Sequence, residues 1–246
     1  MLEILRNKIY RNLLSAQIIA LIGTGLATIA LGLLAFDLAG GNAGAVLGTA
    51  LAIKMVAYIF VAPVVGAYAD RLPRRAFLVT MDAVRAGVAF MLPFVDQIWQ
   101  IYLLIFILQS ASAAFTPTFQ ATIPDVLPDE DDYTKALSFS RLAYDLENLL
   151  SPMLAAALLS VISFHWLFAG TGIGFIASAL FVLSVTLPVT KAITRTGGIF
   201  AKTTRGLRIY LKTPRLKGLL ALTLASAAAS AMVICPSSDN LRLMAV

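Results

Sequence analysis

Three charged side chains lie inside long apolar segments, where they are the residues of this chain best suited to chemistry. Lys54 falls near the middle of one segment, and Asp82 and Arg85 lie three residues apart in the next. Burying a charge in a bilayer costs at least ~2.5–3.5 kcal/mol, so such a charge marks a functional position by default. We expect Lys54 to face an internal pathway or a bundle interface and to bind an anionic group or take part in proton coupling, with an outward-snorkelling or structurally paired lysine as the alternative. Asp82 and Arg85 can pair on one helix face.

Polar residues also recur within the segment 141–152. Arg141, Asp145, Asn148 and Pro152 follow one another at spacings of four, three and four, which places them on one face of a helix. This spacing predicts a single polar stripe, with Glu147 pointing elsewhere. A solvated helix end is the alternative interpretation.

The composition excludes several classes of protein. Of the 246 residues, 59% are hydrophobic and 13% are charged, and the mean hydropathy is +0.87. An ordinary soluble domain has about 25% charged residues, so a soluble globular protein is excluded, as is a disordered one. A single cysteine, Cys235, and a single histidine, His165, leave no basis for a disulfide or a Cys/His metal site. We therefore expect no metal, no cofactor and no enzymatic activity.

The elements that must position these residues are membrane-spanning helices. A span needs about 20 apolar residues and must be helical, because an open strand in lipid leaves backbone groups unpaired. The uncharged runs predict an all-α integral membrane protein with seven spans, at about 12–36, 45–68, 76–94, 98–119, 134–162, 166–187 and 218–235.

The Lys and Arg residues are concentrated in alternate loops, which predicts the orientation. They occur before the first span, after the second and after the sixth, while the loops around 37–44, 95–97 and 163–165 have none. Positively charged loops stay in the cytoplasm, so we expect a cytoplasmic N-terminus. The net charge of +6 then needs no nucleic-acid partner. The basic stretch 189–217 is either an interfacial helix or a solvated linker.

The loop after the second span carries the most specific motif. Its spacing resembles the signature loop of the major facilitator superfamily, G-x-x-x-D-[RK]-x-G-[RK]-[RK]. Five of the six specified positions match, with Pro73 in place of the second glycine: Gly66, Asp70, Arg71, Arg74 and Arg75. A glycine at this helix end is expected to permit close approach of a neighbouring helix.

Two further segments extend the resemblance to the bacterial efflux branch of the family. Gln109 begins a run of small residues similar to the family's fourth-helix pattern, although Phe106 stands where that pattern has an arginine. Pro152 is the identical residue in a fifth-helix element associated with exporters that exchange substrate for protons. The glycine pairs Gly44/Gly48 and Gly170/Gly174 are interpreted as helix-packing motifs.

The resemblance implies a permease of two six-helix bundles with the substrate between them. It divides this chain into a six-helix bundle at 1–188, a basic linker at 189–217, and a seventh helix with an irregular tail at 218–246. It implies alternating-access export of a small amphiphilic molecule, coupled to protons, across a bacterial inner membrane. The implied partners are the bilayer, the substrate, protons and a second transporter half. A truncated, non-transporting fragment and a lipid-transporting member of the family are the alternatives.

The implied roles fall into two groups. A cytoplasmic gate would consist of the signature-loop residues together with Asp82, Arg85, Arg141 and Asp145. A substrate or proton pathway would include Lys54, Gln109, Glu147, Asn148 and Pro152.

Overall fold

The computed structural model describes residues 2–68 and 73–187, and, nearer the C-terminus, residues 212–213, 216–219, 221–223 and 225–226. The chain divides into two compact units, residues 1–194 and 195–246. In the first unit the described residues form six α-helices: α1 Lys8–Ala39, α2 Ala43–Tyr68, α3 Arg74–Met91, α4 Ile98–Val126, α5 Glu130–Leu159 and α6 Phe164–Leu183. Short 3₁₀ turns occupy Leu2–Arg6, Gly40–Asn42 and Leu92–Phe94. In the second unit, residues 216–219, 221–223 and 225–226 are helical.

The six helices follow the first six predicted spans, and no strand occurs in the described ranges. Four segments there are long and apolar enough to cross a membrane: Lys8–Gly66, which contains both α1 and α2, Arg74–Phe94, Ile98–Val126 and Phe164–Leu183. Helix α5 is not among them, since Arg141, Asp145 and Glu147 lower its apolar character. The all-α membrane fold is confirmed. Most of the predicted linker and seventh span lies outside the described residues.

Local sequence explains where α1 and α5 begin and where α1 ends. The side chain of Asn7 accepts hydrogen bonds from the backbone N–H groups of Ile9 and Tyr10, at 3.0 and 3.2 Å. Asp129 caps α5 in the same way, and the acidic residues after it occupy the first turn, where the helix dipole favours negative charge. The acidic residues between the fourth and fifth predicted spans therefore begin a helix. Gly40, at φ 50°, ends α1 in a conformation that favours glycine.

Helix α1 lies at the centre of the bundle, against α6, α5 and α2, while α3 packs between α4 and α6. Two apolar clusters hold the ends together. One surrounds the first turns of α1 and includes Tyr10, Leu13 and Leu78. The other surrounds its last turns and includes Leu34 and Phe168. The part of α1 between the two clusters carries polar residues.

Close helix packing involves different glycines from those predicted. Gly44, Gly48 and Gly170 have no atom within 4 Å of where a Cβ would stand, so the packing interpretation of these positions was wrong within the described bundle. Of the predicted glycines, Gly174 does contact α1, at the carbonyl oxygen of Ile19. The tightest approaches fall at two glycines outside the predicted pairs, Gly25 and Gly172. A Cβ on Gly172 would lie 2.6 Å from the Phe90 ring.

Candidate functional site

A cavity of about 360 Å³ opens near the midpoints of the helices of the first unit. Helices α1, α2, α4 and α5 form its wall, and Arg85 reaches it from α3. Apolar groups such as Leu21, Ile29 and Phe115 alternate with polar ones. The ionisable and amide side chains in the wall are Gln17, Lys54, Tyr58, Arg85, Tyr144, Glu147 and Asn148.

Lys54 and Glu147 contribute opposite charges to this cavity. Lys54 lies near the midpoint of α2 and is partly buried, and Glu147 lies near the midpoint of α5. Both residues line the same cavity, from two different helices. Neither forms an ion pair within 4 Å with another described residue. The cavity therefore contains one cation and one anion that are not committed to a salt bridge with a described residue.

The polar stripe predicted on α5 divides between two faces of the helix. Asn148 and Pro152 line the cavity, and Glu147 lines it beside them, so the expectation that Glu147 points elsewhere was wrong. The wall follows the spacing of one broad helix face, adding Tyr144 and Ser151. That face is rotated away from the predicted stripe. The other two residues of the predicted stripe, Arg141 and Asp145, remain outside the cavity.

Those two members, Arg141 and Asp145, pair with each other on the surface of α5. Arg141 Nε lies 3.4 Å from Asp145 Oδ1, and the side chains are 79% and 55% exposed. An exposed i,i+4 pair contributes only about 0.3–0.5 kcal/mol. A gate contact with another element would form on this surface of α5. The gating role of Arg141 and Asp145 stays a prediction.

Asp82 and Arg85 form the ion pair that their spacing predicts, but not at the end of the bundle. Asp82 Oδ1 accepts from Arg85 Nη2, and the hydroxyl of Ser178 on α6 donates to Asp82 Oδ2 at 2.7 Å. The Arg85 guanidinium lies against the rings of Phe115 and Phe175, 4.4 and 4.5 Å from their centroids. In the described structure the pair contacts α4, α6 and the cavity rather than Arg141 and Asp145. Its location therefore differs from the cytoplasmic network that was expected.

The signature arginines brace α3 against two other helices. Arg74 donates to the carbonyl oxygen of Ala121 and to the carboxylate of Asp125, both near the last turn of α4. Arg75 donates to the carbonyl oxygen of Leu183, the last residue of α6. Cationic donors satisfy the unpaired carbonyl groups at a helix C-terminus and oppose its negative dipole end. These two arginines thus align the same ends of α3, α4 and α6.

The rest of the signature loop gives less structural information. Asp70 and Arg71 lie outside the described residues. Gly66 is exposed, and a Cβ there would make only ordinary contact with Pro117, at 3.7 Å. The close helix approach expected at Gly66 is therefore not seen among the described residues.

Gln109 is buried in α4 but does not line the cavity, and its Oε1 has no described partner. The polar cavity residues that the sequence did not predict are Gln17, Thr24, Thr28, Tyr58, Ser112, Thr116, Tyr144 and Ser151. A signal for some of them exists: Gln17, Thr24 and Thr28 recur on α1 at spacings of seven and four. No group of three or more His, Cys, Asp or Glu side chains suited to a metal ion occurs in the part of the chain described.

Helix α1 approaches α5 most closely beside the cavity. A Cβ on Gly25 would overlap the side chain of Ser151 and lie 2.8 Å from Glu147 Oε1. Two further contacts tie the helices together. The hydroxyl of Ser140 donates to Gln17 Oε1 at 3.1 Å, and that of Tyr10 donates to the carbonyl oxygen of Ala136 at 3.3 Å. Gly25 therefore allows Glu147 to stand in the cavity wall.

Apolar helices arranged around a partly charged internal cavity define a multi-pass integral membrane protein. The family is identified by sequence: residues 13–238 match the family profile of the Major Facilitator Superfamily, and the chain belongs to that family. The members of this family are transporters.

Individual relatives point to the efflux branch. The chain is 26% identical over 152 residues to macrolide efflux protein A of Enterococcus faecalis, covering 58% of this chain and 47% of that protein. It is 26% identical over 148 residues to macrolide efflux protein A of Streptococcus pyogenes, covering 58% and 36%. It is 28% identical over 122 residues to the uncharacterized MFS-type transporter YfiS of Bacillus subtilis, covering 50% and 29%. The match thus spans less than half the length of each relative.

Proposed function

We propose that this chain supplies one helical bundle of a permease that exports a small amphiphilic molecule across a bacterial inner membrane. The cavity carries the proposal, because it places apolar side chains beside Lys54 and Glu147 at mid-helix depth. A site of this kind suits a molecule with both an apolar and a polar part. Two relatives named as macrolide efflux proteins support export as the direction and an amphiphile as the substrate.

Coupling to protons is the second part of the proposal. In a medium of low dielectric constant, Lys54 and Glu147 attract each other strongly when both are charged. A proton on Glu147 removes this attraction and releases Lys54. Substrate and proton can then compete for the same wall of the cavity. Asn148 and Pro152, on the same face of α5, complete the proposed pathway, with Gln109 behind the wall.

A second bundle is required for alternating access, since rocking needs two bodies around the site. The surfaces of α2 and α5 beside the cavity support this requirement. Ile59 and Phe60 on α2, and Leu149 and Met153 on α5, are large apolar side chains exposed at 64–67%. We assign these surfaces to the contact with the second bundle and with lipid. The signature-loop residues, with Arg141 and Asp145, would gate the cytoplasmic end.

The test is export in the native host. Deleting the gene should raise cellular accumulation of rhodamine 6G, a fluorescent amphiphile, and restoring the gene should lower it. A protonophore should abolish the difference. Each of the variants Glu147→Gln and Lys54→Ala should restore export to a level about tenfold below that of the wild-type gene. This reduction corresponds to ~1.4 kcal/mol.

The matched controls are Glu130→Gln and Lys8→Ala, which change the same residue types at exposed positions outside the cavity. Both should restore export fully. Unchanged accumulation on deletion would contradict the proposed export. Export that persists in the presence of the protonophore would contradict the proposed proton coupling but not the proposed export.

A further inference from the structure

Three buried polar atoms, each on a residue that lines the cavity, have no hydrogen-bond partner among the described residues. They are Arg85 Nε, Ser112 Oγ and Ser151 Oγ. Arg85 is 4% exposed and Ser112 is 6% exposed, so bulk solvent does not readily reach them. More than nine-tenths of buried polar groups in proteins have a partner, and each exception needs an explanation. A shared explanation here is a ligand group that accepts hydrogen bonds.

The guanidinium of Arg85 is held in one orientation. The rings of Phe115 and Phe175 lie against it, with the guanidinium carbon 4.4 and 4.5 Å from their centroids. Asp82 accepts from Nη2, and its other oxygen is engaged by Ser178. The remaining N–H bonds of Arg85 lie in the guanidinium plane, so a ligand that accepts from them must approach in that plane. Little side-chain freedom remains to be lost on binding.

Ser112 lies three residues before Phe115 on α4, so the two share a helix face. Ser112, Arg85 and Phe115 all line the cavity. A group bound there would meet donors beside an aromatic surface. This arrangement suits the polar end of an amphiphilic molecule.

The charges in the cavity select the kind of acceptor. When Glu147 is ionised, Asp82 balances Arg85 and Glu147 balances Lys54, so the four formal charges sum to zero. An anionic ligand would leave one negative charge uncompensated in a poorly solvated site, which is costly. A neutral carbonyl oxygen accepts from the same donors without adding charge.

We propose that Arg85 and Ser112 form a subsite that binds the carbonyl oxygen of an ester or amide in an amphiphile without net negative charge. The subsite rests on the proposed function, which it deepens by naming the group that is recognised. Arg85 then contacts the ligand rather than a cytoplasmic gate, and Asp82 is a positioning residue that acts through Arg85.

The experiment compares two probes that differ in one group. A dansyl-labelled alkyl ester and its ether counterpart, in which a methylene replaces the carbonyl, are titrated against the purified full chain in lipid nanodiscs. Dansyl fluorescence reports binding. The wild-type chain should bind the ester about tenfold more tightly, because hydrogen bonds from charged donors are among the stronger ones.

Two variants test whether Arg85 and Ser112 cause the preference for the ester over the ether. Arg85→Lys keeps the positive charge for Asp82 but removes the Nε–H and the planar donor group. Ser112→Ala removes the second donor without adding bulk. Each should reduce the preference for the ester to less than about threefold. Arg11→Lys makes the same exchange at an exposed position on α1 and should keep the full preference.

The outcomes separate this proposal from the function on which it rests. Equal binding of ester and ether by the wild-type chain would show that water alone occupies the subsite and would overturn the proposal. An ester preference that survives Ser112→Ala and Arg85→Lys, with both variants folded by thermal unfolding, would also overturn it. If Arg85→Lys fails to fold, Ser112→Ala decides alone. Rhodamine export without ester discrimination would refute only the subsite, and ester discrimination without export would refute only the proposed export.

Discussion

At the scale of single residues, a buried carboxylate organises the centre of the bundle. Asp82 is 0% exposed, and both of its oxygens are engaged, one by Arg85 and the other by Ser178. A buried ion pair gains little net stability over an apolar pair, but removing one partner leaves the other as an uncompensated buried charge. The pair therefore constrains α3 and α6 more than it stabilises them.

Asp82→Ala should destabilise the chain by about 3–5 kcal/mol, because it leaves Arg85 buried without its counter-ion. The double variant Asp82→Ala/Arg85→Ala should recover part of this loss. Thermal unfolding in lipid nanodiscs measures both. Asp37→Ala, at an exposed position near the end of α1, is the control and should change stability by less than about 0.5 kcal/mol. Equal losses in the single and double variants would count against a mutual pair.

At the scale of elements, the helices are positioned by a few specific contacts between otherwise apolar surfaces. Arg74 and Arg75 join the start of α3 to the ends of α4 and α6. Gly25 sets the distance between α1 and α5, since even a methyl group there would overlap Ser151. The cavity depends on this distance because Glu147 stands on the same face of α5.

Gly25→Ala should force α1 and α5 apart and destabilise the bundle by about 1–3 kcal/mol, the usual cost of overpacking. It should also weaken ester binding by displacing the wall that carries Ser151. Gly32→Ala is the matched control on the same helix, where a Cβ meets no atom within 4 Å. That variant should be neutral or slightly stabilising, because alanine favours a helix more than glycine does. A Gly25→Ala chain as stable as the Gly32→Ala chain would contradict the close approach.

At the scale of the whole molecule, the alternation of basic and non-basic loops predicts which ends of the helices share a side of the membrane. The structure joins the ends of α4 and α6 to the start of α3 through Arg74 and Arg75, as that alternation requires. This agreement shows that the start of α3 and the ends of α4 and α6 lie at the same end of the bundle. The absolute orientation, with the N-terminus in the cytoplasm, remains a prediction.

Cysteine labelling in intact cells tests the orientation. In a Cys235→Ser background, a membrane-impermeant maleimide should label Gln97→Cys and Ser163→Cys, which are exposed in the α3–α4 and α5–α6 connections. Glu130→Cys, exposed at the start of α5, should be labelled only after the cells are opened. The reverse pattern would place the N-terminus outside the cytoplasm.

The sequence by itself determined the class of protein and the number of helices in the first unit. Runs of apolar residues longer than about 20 admit only helices in a membrane, whatever their neighbours. The spacing of the signature loop was equally local, and the family match confirmed the resemblance drawn from it. The pairing of Asp82 with Arg85 also followed from sequence, because residues three apart meet within one helix.

Only the tertiary structure decided which polar residues share the cavity. A helix that is apolar on most of its surface has no single polar face to set its rotation, so contacts with its neighbours set it. The contact of Gly25 with Ser151 turns Glu147 and Asn148 into the cavity and leaves Arg141 and Asp145 on the surface. The contacts of Arg85 with Phe115 and Phe175 likewise join α3, α4 and α6, the last of which is distant from the other two in sequence. Such juxtapositions depend on packing between helices, which one-dimensional spacing does not encode.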